Sequence, residues 1–279
     1  METILLFFVC GFVASLIDGC VGMAYGAFLT TALTSFGIPI LNASSTIHFC
    51  EIFTSFASGV SHFVNGNFNF VLLKRIMFSG VIGGLLGALF LVFTRDLDLK
   101  PYVAIYLLIL GVRILIKVFR KKNIKFNNKG LIPLGFMGGF FDAAGGGGWG
   151  PIVTSSLLVK GHTPAKVVGT VNVAEFFVTL TQVLVFVTVV DIINWQMVLG
   201  LVLGGCIASP LSALFVKRVN PKVLMCIVAI LIILINLSVL THCLLQGDLW
   251  FICFWNSQNL VFYALVVGIW LSHCCLMNM

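Results

Sequence analysis

The sequence predicts an all-α polytopic membrane protein built from two homologous halves. Three observations predict it: the apolar residues fall in long runs, charged residues are scarce, and the first half reappears 124 positions later. Of 279 residues, 60% are hydrophobic and only 9% charged, against about 25% charged in a soluble domain. So few charges cannot coat a globular surface of this size. The runs 76–94, 101–119, 194–216 and 223–241 each match the ~20 residues that span a hydrocarbon core. In lipid a chain must satisfy its own backbone hydrogen bonds, so these runs are helices.

The duplication is read without gaps. GFVASLIDGCVGMAYGAFLTTALTSFG starts at Gly11 and GFMGGFFDAAGGGGWGPIVTSSLLVKG at Gly135. The offset pairs Gly11 with Gly135, Asp18 with Asp142, Gly22 with Gly146, Gly26 with Gly150, Thr30 with Thr154, Thr46 with Thr170 and Glu51 with Glu175. Matches of glycine or leucine come cheaply in such a composition. Two acidic pairs do not, since the chain holds nine acidic residues in all.

Each half opens with a glycine-interrupted apolar stretch, 2–36 and 131–159, and continues into three spans. These are 40–64, 75–94 and 101–119, then 164–190, 194–216 and 222–241. The divisions are therefore a first repeat (1–119), a basic linker (120–130), a second repeat (131–241) and one extra C-terminal span within 242–279, which WNSQN at 255–259 interrupts. The linker carries Arg120, Lys121, Lys122, Lys125 and Lys129 and is expected in the cytoplasm, with the protein in the plasma (inner) membrane. Lys74 and Arg75 fall in the loop after the first span of the first half, and the matching loop near 190–196 has no base. Lys160 and Lys166 flank a loop of the second half whose counterparts, Phe36 and Asn42, are uncharged. Lys217, Arg218 and Lys222 mark a further cytoplasmic loop. Opposite bias at matching loops is the mark of inverted-topology repeats. Each glycine-interrupted stretch is then a helical hairpin that dips in and returns, turning near 19–26 and 145–148. One long tilted helix in each half, giving parallel repeats, is the alternative.

The chemistry concentrates on the first span of each half. Asn172, Glu175, Thr179 and Gln182 follow spacings of three, four and three, which put them on one helical face. His48, Glu51, Ser55 and Ser58 occupy the matching positions. Hydroxyls and amides there can serve as interhelical hydrogen-bond glue. A carboxylate in mid-membrane costs roughly 2.5 kcal/mol or more, which points to function at Glu51 and Glu175. Asp18 and Asp142 precede the glycine turns, where capping the returning half-helix accounts for them. The run Gly145, Gly146, Gly147 and Gly148 bares backbone N–H groups, and with a following half-helix can bind an anion. No lysine or arginine is central, so a cation or proton site is as good a reading as an anion site. An anion would require neutral glutamates, a state that withdrawal from water favours. Such glutamates would couple anion movement to a proton.

The net charge of +7 sits at the ends of apolar runs and is not a nucleic-acid signature. The N-terminus lacks the basic leader of a cleaved signal peptide. The nine cysteines lie in apolar segments without metal-ligand spacing and read as packing residues; Cys274 and Cys275 stand where lipidation would fall in a eukaryote. GGGGWG lacks the Lys-Ser/Thr of a P-loop. No catalytic constellation, metal site or cofactor motif is expected, which argues against an enzyme.

FDAAGGGGWGPIVTSSLLVKG followed by VGTVNVAEF resembles the second-half signature of the sulfite exporter TauE/SafE family of membrane transporters, over about residues 1–241. The first half, DGCVGMAYGA, keeps the aspartate and loses the glycine run. The resemblance implies transport of small sulfur-containing anions such as sulfite or organosulfonates. The expectation is a secondary transporter working by alternating access between lipid-embedded halves. Gly145–Gly148, Thr170 and Asn172 would hold the anion, with Gly22, Thr46 and His48 contributing from the other half. Glu51 and Glu175 would carry the coupling ion, proton or sodium, and a homodimer is left open. A cation or metal carrier using the same acids, and a membrane assembly or signalling protein without flux, are the competing readings.

Overall fold

The computed structural model describes residues 2–23, 25–95, 97, 100–119, 129–160, 162–189, 195–215 and 220–245. Most of the basic linker, the 190–194 loop, Lys217, Arg218, and the C-terminal span with Cys274 and Cys275 lie outside them. Met1–Leu237 form one compact unit and Ser238–Met279 a second, described only as far as Leu245.

Every described element of secondary structure is helical. The elements are α1 (Glu2–Val21), α2 (Tyr25–Ser35), α3 (Ile40–Val64), α4 (Phe70–Phe93), α5 (Lys100–Phe119), α6 (Leu131–Gly145), a π turn (Gly150–Thr154), α7 (Ser155–Val159), α8 (Pro164–Phe186), α9 (Trp195–Phe215) and α10 (Pro221–Leu245). Local signals set the bounds. Pro39 precedes α3 and Pro164 opens α8, positions where a missing N–H costs nothing. Helix α4 starts five residues before the expected 75, because the Asn69 side chain accepts from Leu72 N–H at 3.1 Å. Lys74 and Arg75 are therefore on a helix and not in a loop. Lys74 Nζ stands 4.7 Å from the centre of the Phe70 ring, and its apolar stem lies along the helix while the charge reaches outward.

Among the described residues four helices are long and apolar enough to cross a membrane, at Ile4–Val21, Phe70–Phe93, Pro164–Phe186 and Trp195–Ser212. Phe78, Ile82, Leu184, Leu203 and Ile207 point outward, while His48, Glu51, Asp142, Asn172, Glu175 and Gln182 are buried. This inversion suits lipid outside and a polar seam within.

Helix α1 packs along α9, α6 along α4, and α3 along α8. Glycines set the spacing. A Cβ on Gly83 or Gly87 of α4 would fall 2.0 or 2.2 Å from the carbonyl oxygens of Phe136 or Phe140. One on Gly139 of α6 would fall 2.2 Å from Gly80 O, and one on Gly204 of α9 2.1 Å from Phe8 O. Backbones in contact gain dispersion and weak C–H···O interactions that larger residues would forbid.

Both glycine-rich stretches break where expected. Gly22 has φ 70°, and Gly146 and Gly147 have φ 66° and 155°, conformations that side-chain-bearing residues rarely adopt. The breaks touch each other. A Cβ on Gly26 would lie 2.7 Å from Gly147 Cα, and one on Gly150 2.5 Å from Met23 Cα. Thr30 donates its hydroxyl to Gly146 O, and Thr154 donates to Gly22 O. The 124-residue offset relates the members of each of these two pairs of contacts. At the far ends of the second stretch, Lys160 Nζ donates to Lys129 O at 2.8 Å. The stretch 131–159 therefore returns to the end it leaves from.

Gly87→Leu should force α4 and α6 apart. Overpacking of this kind costs about 1–3 kcal/mol, read as a lower thermal unfolding midpoint in detergent, whereas Leu86→Ala on the outward face should change it little.

Candidate functional site

The two polar stripes face each other, because α3 lies on α8. Asn172 Nδ2 donates to Ser58 Oγ at 2.7 Å, joining the far end of one stripe to the near end of the other. At the opposite end, His48 and Gln182 converge on Asp142. Gln182 Nε2 donates to Asp142 Oδ2 at 3.1 Å, and His48 Nε2 lies 3.2 Å from the same oxygen. His48 Nδ1 is 2.6 Å from Ser44 O, so both ring nitrogens face acceptors.

Asp142 is the best-satisfied of the buried acids. Its Oδ1 accepts from Gly148 N–H at 3.0 Å and Trp149 N–H at 2.9 Å, and its own carbonyl receives Gly147 N–H at 3.1 Å. Of the glycine-run amides that the sequence assigns to an anion, Gly148 N–H is thus held by an internal carboxylate and Gly147 N–H by a backbone carbonyl. Asp18 does the same work more loosely, with Tyr25 N–H 3.4 Å from Oδ1. The difference follows from sequence: GGGGWG lets two amides turn inward, and GCVGMAYG offers one.

Asp18, Glu51 and Glu175 share a small cavity with Ser15, Tyr25, Thr54, Ser55, Ser58 and Ser209. Its volume of about 10 Å³ is near the least that holds one water. Every lining residue contributes oxygen as its polar atom, and no lysine or arginine lines it. Asp18, Glu51, Asp142 and Glu175 lie within electrostatic range of one another. Thr179 of the stripe faces Glu51. Ligand-capable atoms of His48, Glu51 and Asp142 also fall within 4.8 Å of one another, a spacing open to a metal ion. Four hydrogen-bond contacts already engage Asp142 there.

The structure brings Asp18, Glu51 and Glu175 to one cavity, and His48 to Asp142 beside it. Asn172 reaches the cavity through Ser58. Thr170 turns elsewhere: its hydroxyl donates to Lys166 O at 2.6 Å and receives Asn69 N–H at 2.9 Å. Gly22 receives Thr154, and Thr46 is buried in α3. Sequence reasoning missed Ser15, Tyr25, Thr54 and Ser209. Ser15 stands three residues before Asp18, and Thr54 three after Glu51, so helical spacing could have found both. Ser209 lies outside both stripes and has no polar repeat partner, so only tertiary packing reveals it.

Apolar helices around a buried polar seam mark a polytopic membrane protein, and its family is one of membrane transporters. The chain belongs to the sulfite exporter TauE/SafE family, whose model matches residues 7–239. It is 38% identical over 282 residues to the probable membrane transporter protein YtnM of Bacillus subtilis (strain 168), covering 98% of this chain and 91% of that one. No solved structure matches it.

Asp142→Asn should lower the unfolding midpoint more than Asp18→Asn. An asparagine NH2 would face donors that now meet a carboxylate, and buried groups left unpaired cost about 1–3 kcal/mol each. Equal shifts for the two variants would contradict this ranking.

Proposed function

We propose that this protein is a secondary transporter that moves a small sulfur-containing oxyanion, of the sulfite or organosulfonate class, by alternating access. Glu51 and Glu175 carry the coupling ion. The observation that carries this reading is the carboxylate cavity sealed beside two touching helix breaks. Family membership supports the substrate class.

The halves act as inverted repeats, 1–119 and 131–241. The reciprocal Thr30–Gly146 and Thr154–Gly22 contacts support a pseudo-twofold axis through the breaks. So does the exchange of partners, α1 on α9 and α6 on α4. The return of 131–159 to its starting end supports a hairpin and, with the charge bias of the loops, a cytoplasmic linker in the plasma membrane. Rocking one half against the other would open the cavity to each face in turn.

The anion binds where Asp142 now sits, at the amides of the 145–148 turn, with His48 alongside, while Asn172 stands at the other end of the stripe on Ser58. Thr170 and Thr46 shape the same helices, and Gly22 the opposite turn. An amide pair that already holds a carboxylate is built for an oxyanion. The incoming anion takes over these donors as Asp142 withdraws. The hydrogen bonds support this order: Asp142 already takes the Gly148 and Trp149 amides, so binding needs a form in which it has withdrawn.

In proteoliposomes, a pH gradient should drive sulfite flux by wild type. Glu175→Gln should reduce the driven flux about tenfold or more, equivalent to a barrier raised by ~1.4 kcal/mol. Gradient-driven flux unchanged in both Glu175→Gln and Glu51→Gln would remove the coupling role.

A further inference from the structure

We propose that the cavity between α1, α3, α8 and α9 is a binding site for one desolvated sodium ion, held by Glu51, Asp18, Glu175 and the hydroxyl oxygens of Ser15, Thr54 and Ser209. This rests on the reading of these acids as the coupling groups, not on the identity of the anion.

The direction of the hydroxyl protons carries the argument. Ser209 Oγ donates to Gly205 O at 2.8 Å and Thr54 O at 3.1 Å. Thr54 donates to Glu51 O at 3.4 Å, and Ser55 donates to the same carbonyl. A carbonyl oxygen can only accept, so these protons point back into the helices and the oxygen lone pairs face inward. Ser58 already accepts from Asn172. Carboxylates add acceptors and no donors. The lone pairs of Ser209, Thr54 and Ser55, together with the carboxylates, attract a cation.

Three further atoms of the lining have no hydrogen-bond partner: Glu51 Oε2, Ser15 Oγ and the Tyr25 hydroxyl oxygen, on side chains more than nine-tenths buried. A buried polar oxygen is rarely left so without a ligand. Its ligand here is a small hard cation, since all-oxygen shells select such ions over the soft metals that prefer nitrogen or sulfur. Calcium takes six to eight ligands, mainly carboxylates, carbonyls and waters, and magnesium keeps several of its waters. A cavity of about 10 Å³ leaves no room for the waters that complete these shells. A bare monovalent ion of about the size of a water does fit. His48 plays no part, its ring nitrogens being directed to Ser44 and Asp142.

The test is a binding measurement on purified full-length protein in detergent. Its unfolding midpoint is followed against sodium chloride, with potassium and choline chloride at equal ionic strength and fixed pH. Sodium should raise the midpoint saturably, because a ligand of the folded state stabilises it by mass action; potassium and choline should not. Ser209→Ala, which keeps every charge, should weaken the apparent sodium affinity by roughly tenfold, and Glu51→Gln should abolish the response. Identical midpoints in sodium and choline would overturn the site, as would an unchanged sodium response in both variants. A response to calcium in place of sodium would overturn the choice of ion. Sodium binding without sulfite flux would leave the site standing and remove the anion reading. Proton-driven sulfite flux without sodium binding would do the reverse.

Discussion

The backbone of each helix break rests on the backbone of the other, and the four buried acids are arranged around that contact. Gly26 against Gly147, and Gly150 against Met23, leave no room for a Cβ. Pieces of chain that cross so closely inside a bilayer need their freed amides and carbonyls satisfied by protein, because lipid offers nothing. The threonine hydroxyls close this account from each side, Thr30 on Gly146 and Thr154 on Gly22. Asp142 then takes the amides of Gly148 and Trp149. The remaining acids, Asp18, Glu51 and Glu175, are left facing a cavity with no basic residue in its lining.

That imbalance links fold to function. A buried carboxylate is tolerated when donors surround it, as they do Asp142. Glu51 has an oxygen without a partner, and such a group belongs in a membrane interior only if something mobile visits it. The glycine seams bring α4 onto α6 and α1 onto α9, backbone to backbone. The proposed alternating-access cycle centres on this site, a closed, nearly volumeless cavity that would open to either face.

Much of this was legible in the sequence, for identifiable reasons. Helix α3 begins at Ile40 and ends at Val64 as expected, because Pro39 and the Asn-Gly pair at 65–66 punctuate a continuous apolar run. The start of α4 was misplaced because Lys74 and Arg75 look like loop residues until Asn69 is recognised as a cap. The polar stripes could be read because helical spacing is local information, and the acids because they are rare. The fate of the glycine-run amides could not be read. Whether bare N–H groups await a ligand or are already taken by Asp142 depends on a turn that folds back on its own helix. Ser209 was hidden for a related reason: its place in the cavity comes from α9 packing on α3, a relation that no spacing encodes.

The most direct test of the central claim, that one buried cavity opens alternately to the two sides, is site-specific labelling at Ser58. In a cysteine-free background, Ser58→Cys is placed in sealed vesicles and offered a membrane-impermeant anionic thiol reagent from the outer or the inner face. The account predicts reaction from both faces, each slowed by sulfite. Reaction from one face alone, at a rate sulfite does not change, would contradict it.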